Sequence, residues 1–198
     1  MKVFVVVGMP ASGKNIARSY AESNGIPYFA TGDVVRAEVL RRGLEPNPVD
    51  TAAVSTEMRG NDGMGVTRKV LQTATETGKE MVFLEGMRSW AEIELIRQEA
   101  DCTVIAFLAP RQVRHSRVLS RGRSDDAPAA FEERDAREIT YGTATPIALA
   151  DAYILNTGTM EDAFEAFDGI VGLPEGMVVE INTSVSSPRS SEQKKFNL

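Results

Sequence analysis

The chain has 198 residues, 42% of them hydrophobic and 25% charged, with a formal net charge of -6. That length and apolar content fit one globular domain, or one domain with a small appendage, and the acidic balance argues against a broad nucleic-acid surface. No apolar run reaches the ~20 residues of a membrane-spanning helix, the short N-terminal run does not read as a signal peptide, and one cysteine, Cys102, excludes an intramolecular disulfide, so a cytoplasmic protein is expected.

Taken in chain order, Val3 to Val7 is a continuous β-branched run, as in strands buried on both faces. Helical spacing follows from Ile16 to Ser23 and stops at Asn24-Gly25. A short strand is expected at Pro27 to Ala30, then a helix from Val34 to Arg42. Val49 to Thr77 reads as two helices broken near Gly60 to Gly63. Next come a strand at Met81 to Leu84, a helix at Trp90 to Ala100, a strand at Thr103 to Leu108 and a helix at Arg111 to Ser120. A polar, turn-rich stretch to Pro128 precedes a charged helix at Phe131 to Tyr141. Tyr153 to Leu155 is a short last strand and Met160 to Val171 a last helix. Strands alternating with helices of this length predict a parallel sheet covered on both faces, the α/β class. Residues 173–198 read as an extension: one further strand at Met177 to Ile181, then a tail of disordered composition from Ser184.

The first turn carries chemistry. Gly8-Met9-Pro10-Ala11-Ser12-Gly13-Lys14 has the G-x(4)-G-K spacing of a phosphate-binding loop, placed between the first strand and the first helix. Glycines let successive backbone N–H groups face one centre, the helix start adds donors and partial positive charge, and Lys14 supplies a full charge. This predicts an ATP site. Asn15 stands where Ser or Thr would hold Mg2+, and its carbonyl oxygen is a weaker, bulkier ligand. The expectation is a weakened or water-mediated metal contact within a working loop.

Four further segments resemble nucleoside monophosphate kinases. Thr31-Gly32-Asp33-x-x-Arg36 is similar to the monophosphate-binding segment of adenylate kinase, where the arginine holds the acceptor phosphate. A guanidinium fork suits phosphate oxygens, although Asp33 would also serve as a simple helix cap. Glu85-Gly86-Met87-Arg88 looks like the acidic strand end of such kinases followed by their acceptor-contacting arginine, which implies Mg2+ on Glu85 and the acceptor on Gly86 and Arg88. Arg121, Arg123, Arg134 and Arg137 flank a short polar loop that resembles a reduced lid at about 121–131. The resemblance implies Arg121 on ATP, Arg123 and Arg134 on the migrating phosphoryl with Lys14 and Arg88, and Arg137 on the acceptor. Asn156 and Gly158 lie in a segment similar to that of dephospho-CoA kinases, which implies a place near the donor adenine.

Residues 1–172 as a whole resemble archaeal adenylate-kinase-related, dephospho-CoA-kinase-like P-loop proteins. That implies a three-layer α/β/α fold with a five-stranded parallel sheet, acceptor-binding helices over about 31–78, and ATP-dependent transfer to a nucleoside monophosphate or dephospho-CoA. A nucleotide-binding ATPase or switch acting through a partner stays open as the alternative, favoured by Asn15 and Glu85. A nucleotide-gated RNA-binding role is the third, against which the acidic balance argues. His115, the lone histidine, reads as a packing or surface residue.

Overall fold

The computed structural model describes residues 1–121 and 128–172. Fourteen elements are present among them: β1 (Lys2–Val7), α1 (Asn15–Ser23), β2 (Tyr28–Ala30), α2 (Thr31–Arg41), α3 (Pro48–Arg59), α4 (Gly65–Glu76), β3 (Met81–Glu85), α5 (Trp90–Glu99), β4 (Asp101–Leu108), α6 (Arg111–Arg121), α7 (Pro128–Thr140), α8 (Ala144–Ala148), β5 (Ala152–Leu155) and α9 (Met160–Val171). The strands form one five-stranded sheet in the order β2-β3-β1-β4-β5, and every pairing is parallel.

The sheet is covered on both faces because side chains of a strand alternate between them. In β1, Val3, Val5 and Val7 join one core with Val35 and Val39 of α2, Val70 and Leu71 of α4, and Ile93 and Ile96 of α5. Phe4 and Val6 join the other core with Ala17 and Tyr20 of α1 and Phe167 of α9. The second core is aromatic: Tyr20 stacks on Phe167 at 4.9 Å and Phe4 on Phe83 at 5.2 Å between ring centroids. Each buried Phe contributes roughly 1.5–3 kcal/mol relative to exposure. The fold is therefore the expected three-layer α/β/α arrangement.

Three of the departures from the sequence reading concern α2, β3 and α8. α2 begins at Thr31 and its N-cap is Ala30, so Asp33 sits inside the first turn and is not the cap. β3 runs on to Glu85, paired in register with Val6 of β1. α8 was not expected; its Pro146 falls within the first turn, where no N–H is needed. The loop of the expected lid and the whole of the 173–198 extension, including its expected strand, lie outside the described residues.

The topology determines where a ligand can bind. β1 lies between β3 and β4, and the sheet order reverses there. A crevice opens at the carboxyl ends of strands at such a switch point. The loop after β1 and the residues after β3 both end at that crevice.

Candidate functional site

The loop from Gly8 to Lys14 is built around positive backbone angles: φ is 157° at Gly8, 60° at Ala11 and 99° at Gly13. A Cβ at Gly8 would come within 2.5 Å of the Phe107 carbonyl oxygen. A Cβ at Gly13 would collide with Asn156 Nδ2. Ala11 adopts the left-handed conformation despite its side chain, a cost that clusters at ligand-binding loops. The Ser12 hydroxyl is buried with no hydrogen-bond partner among the described residues.

Lys14 folds back on this loop. Its Nζ donates to the carbonyls of Gly8 at 2.8 Å and Met9 at 3.3 Å, and lies 4.0 Å from Glu85 Oε1. Burial pushes its pKa down, against the opposing pull of Glu85 and Glu138. A half-buried cation of this kind is better satisfied by a polyphosphate than by two carbonyls.

Two cavities meet at the crevice. One, about 280 Å³, is lined by Gly8, Pro10, Lys14, Arg134, Glu138 and Thr143, among others. The other, about 360 Å³, opens between α2, α3 and the end of β3 and includes Thr31, Gly32 and Arg36. Glu85, Gly86 and Arg88 line both. Gly86 is required there: its φ is 102° and a Cβ would collide with Thr31 Oγ1.

The acidic residues of the site are held by neighbours. Glu85 Oε2 accepts from the Tyr28 hydroxyl at 2.7 Å. Burial and then Glu85 raise the Tyr28 pKa, so the phenol stays protonated and donates. The Arg18 guanidinium lies 4.5 Å from the Tyr28 ring centre and pairs with Asp33, which also pairs with Arg36. Burial works against ionisation of Asp33, but the two guanidinium groups outweigh it and hold its pKa low. Asp33 is thus an anchor for Arg18 and Arg36.

The remaining expected residues separate into two groups. Arg88 Nε pairs with Glu138 Oε2 at 3.1 Å, and Arg134 reaches the smaller cavity. Asn156 is buried beneath the loop, where its Nδ2 donates to the Ser12 carbonyl at 2.8 Å, the contact of a strut. Asn15 is exposed at the first position of α1. Arg137 is exposed on α7 and lines neither cavity. Arg123 and the side chain of Arg121 lie outside what is described.

Sequence reasoning missed Arg114 and Arg117 of α6. Arg114 forms a forked pair with Asp135 at 2.7 and 2.6 Å and donates to the Pro10 carbonyl at 3.0 Å. Arg117 donates to the Ser12 carbonyl at 3.1 Å and the Asn156 carbonyl at 3.0 Å. Both brace the phosphate loop from behind. Their three-residue spacing marks a shared helix face, the one signal available beforehand. His115, expected to be a packing or surface residue, packs edge-on against Phe131, 5.1 Å between centroids.

The residues present can accommodate Mg2+ in one way. Among the described residues no three His, Cys, Asp or Glu side chains gather to cage an ion. Mg2+ prefers one or two carboxylates with phosphate oxygens and water, and Glu85 at the crevice suits that role. No described helix is long and apolar enough to cross a membrane.

Comparison with known proteins agrees with this architecture. Residues 7–132 match the model of an AAA domain family. The chain is 44% identical over 166 residues to a UPF0200 protein of Methanosarcina mazei, covering 81% of this chain and 89% of that one. It is 39% identical over 168 residues to a UPF0200 protein of Aeropyrum pernix, covering 83% and 89%. Among solved structures, shikimate kinase from Bacteroides thetaiotaomicron shares the fold at a TM-score of 0.59 and 15% identity, covering 87% of this chain and 99% of that one. Strand–loop–lysine geometry, sheet order and these relatives agree: the chain belongs to the archaeal UPF0200 family, a P-loop group with a kinase-like fold.

Proposed function

We propose that the protein is an ATP-dependent phosphotransferase acting on a small phosphorylated acceptor, with a nucleoside monophosphate ranked first and dephospho-CoA second. The observation that carries this reading is the pair of cavities, one at Lys14 and one at Arg36, that share Glu85, Gly86 and Arg88. A nucleotide hydrolase needs only the first cavity. Two cavities that each present cationic side chains and share a common wall suit a donor and an acceptor whose reacting oxygens must meet.

In this reading the triphosphate lies on Gly8 to Asn15, and Lys14 exchanges its two carbonyl partners for β- and γ-phosphate oxygens. The acceptor enters the larger cavity against Thr31, Gly32, Arg36 and Gly86. An ionised phosphate oxygen of a nucleoside monophosphate, or the dephospho-CoA hydroxyl as its proton passes to solvent, attacks the γ-phosphorus, the bond to the β–γ bridging oxygen breaks, and ADP leaves. Arg88, on the shared wall, and Arg134 neutralise charge on the migrating phosphoryl. Mg2+, held by Glu85 through water, by Asn15 and by the nucleotide itself, would supply charge neutralisation on the donor oxygens. A cytoplasmic location and small-molecule partners go with this reading.

A nucleotide switch that hydrolyses slowly and acts through a partner is the second reading. The exposed Asn15 at the metal-binding position of the loop favours it. A coupled ADP-release assay over nucleoside monophosphates and dephospho-CoA separates the two. Release that depends on one acceptor supports the phosphotransferase; release indifferent to every acceptor supports the switch.

A further inference from the structure

The larger cavity is lined by three guanidinium groups, and they are not in equivalent states. Arg36 is engaged by Asp33 and Arg88 by Glu138. Arg59, the last residue of α3, lines the same cavity and makes no ion pair with any described residue. Its guanidinium stands over the Tyr141 ring, 5.9 Å from the centroid, while Arg88 stands over that ring at 5.1 Å.

Arg59 does not stand alone on α3. Thr51, Ser55 and Arg59 fall at i, i+4 and i+8, which places them on one stripe of the helix. All three line the cavity and are half-buried, whereas their neighbours Ala52, Ala53, Thr56 and Glu57 are exposed. Neither the Thr51 nor the Ser55 hydroxyl is bonded to a described residue. Apart from the Arg59 contact with the Tyr141 ring, this face leaves two hydroxyls and a cation without a hydrogen-bond or ion-pair partner among the described residues, turned toward a cavity.

We propose that this stripe is the acceptor's recognition wall: Arg59 ligates the anionic group, and Thr51 and Ser55 hydrogen-bond the neutral part. The inference rests on the phosphotransferase reading for the word acceptor, but the anion site itself does not. A contact with an aromatic face is weaker than a charge-assisted hydrogen bond, so an anion in the cavity draws Arg59 off Tyr141. Arg36 and Arg88 each already share their charge with a carboxylate, which competes with an incoming anion for it. Arg59 is the guanidinium that meets the ligand first, and Tyr141 keeps it aimed. The neutral part of the ligand carries hydroxyl or amide groups, since an aliphatic one would leave both hydroxyls unpaired.

The test uses the full chain saturated with a non-hydrolysable ATP analogue and Mg2+, so that the phosphate loop is filled. Inorganic phosphate is then titrated and the thermal midpoint followed. Wild type and R68A, whose side chain is exposed and pairs with Asp62 outside the cavity, are expected to respond alike. R59A should need about 10- to 100-fold more phosphate, the loss of one hydrogen-bonded charge, and R59K should fall between. A wild type that ignores phosphate, or an R59A that matches it, overturns the proposal. T51V/S55A should leave the phosphate titration unchanged while raising the KM for the best substrate of the nucleotide and dephospho-CoA panel at least fivefold; an unchanged KM removes the hydroxyls from the proposal. If phosphate binds through Arg59 and no acceptor stimulates ADP release, the anion site stands and the phosphotransferase reading falls.

Discussion

Replacing Asp135 by Asn tests how the phosphate loop is braced. Arg114 is 6% exposed and Asp135 8%, and their fork is made at 2.7 and 2.6 Å. Asn keeps the shape and one acceptor oxygen but removes the charge, which leaves the Arg114 guanidinium buried without a counterion. Breaking one side of a buried pair costs about 3–5 kcal/mol, and the retained oxygen places D135N near the lower end. For a domain of this size that corresponds to a fall of about 6–12 °C in Tm. Because Arg114 also holds the Pro10 carbonyl at 3.0 Å, ATP affinity should weaken with it. Urea denaturation gives the stability, and nucleotide titration gives the binding. The double variant R114M/D135L, which removes both charges, should recover at least ~2 kcal/mol relative to the sum of its single variants. A D135N loss below about 1 kcal/mol, or strict additivity in the cycle, would refute the reasoning.

Three other outcomes follow from single contacts. G86A should destabilise the protein by about 2–4 kcal/mol in urea denaturation, from a Cβ forced both into a positive φ and against Thr31, and T31A should relieve part of that loss; a neutral G86A contradicts the packing of the α2 start against the residue after β3. E138Q frees Arg88 from its carboxylate, so phosphate titration of the nucleotide-saturated protein should tighten about 3- to 10-fold; weaker binding would mean that Glu138 orients Arg88 for the anion instead of competing with it. The Cys102 thiol is pushed up to about 11 by burial, so at pH 8 iodoacetamide should alkylate the native protein at least ~100-fold more slowly than the unfolded chain; comparable rates would place the thiol in solvent.

Much of the fold was legible because its signals are local. The apolar run of β1 and the Gly8-to-Lys14 spacing each announce themselves within a dozen residues. The break between α3 and α4 lies where Gly60 and Gly63 adopt positive φ. The starts of helices were less so: Asp33 looks like a cap, yet Thr31 already lies in α2, because the backbone there is held between the end of β2 and Gly86. Among candidate site residues, Lys14, Arg36 and Arg88 do reach a common crevice. Asn156 faces the loop from below, and Arg137 is exposed and lines neither cavity, since helix phase decides which side chains of a charged stretch turn inward.

Taken alone, the sequence determined the alternation of strands and helices and the presence of a polyphosphate loop, since both depend on neighbours along the chain. The tertiary structure alone decided which arginines matter and to what each is bound. Arg59 and Arg88 share the ring of Tyr141 from positions 82 and 53 residues before it, and Arg114 reaches Pro10 across 104 residues. Charge acts through space, so the partner of a guanidinium is set by how the sheet brings distant segments together, which no local spacing records.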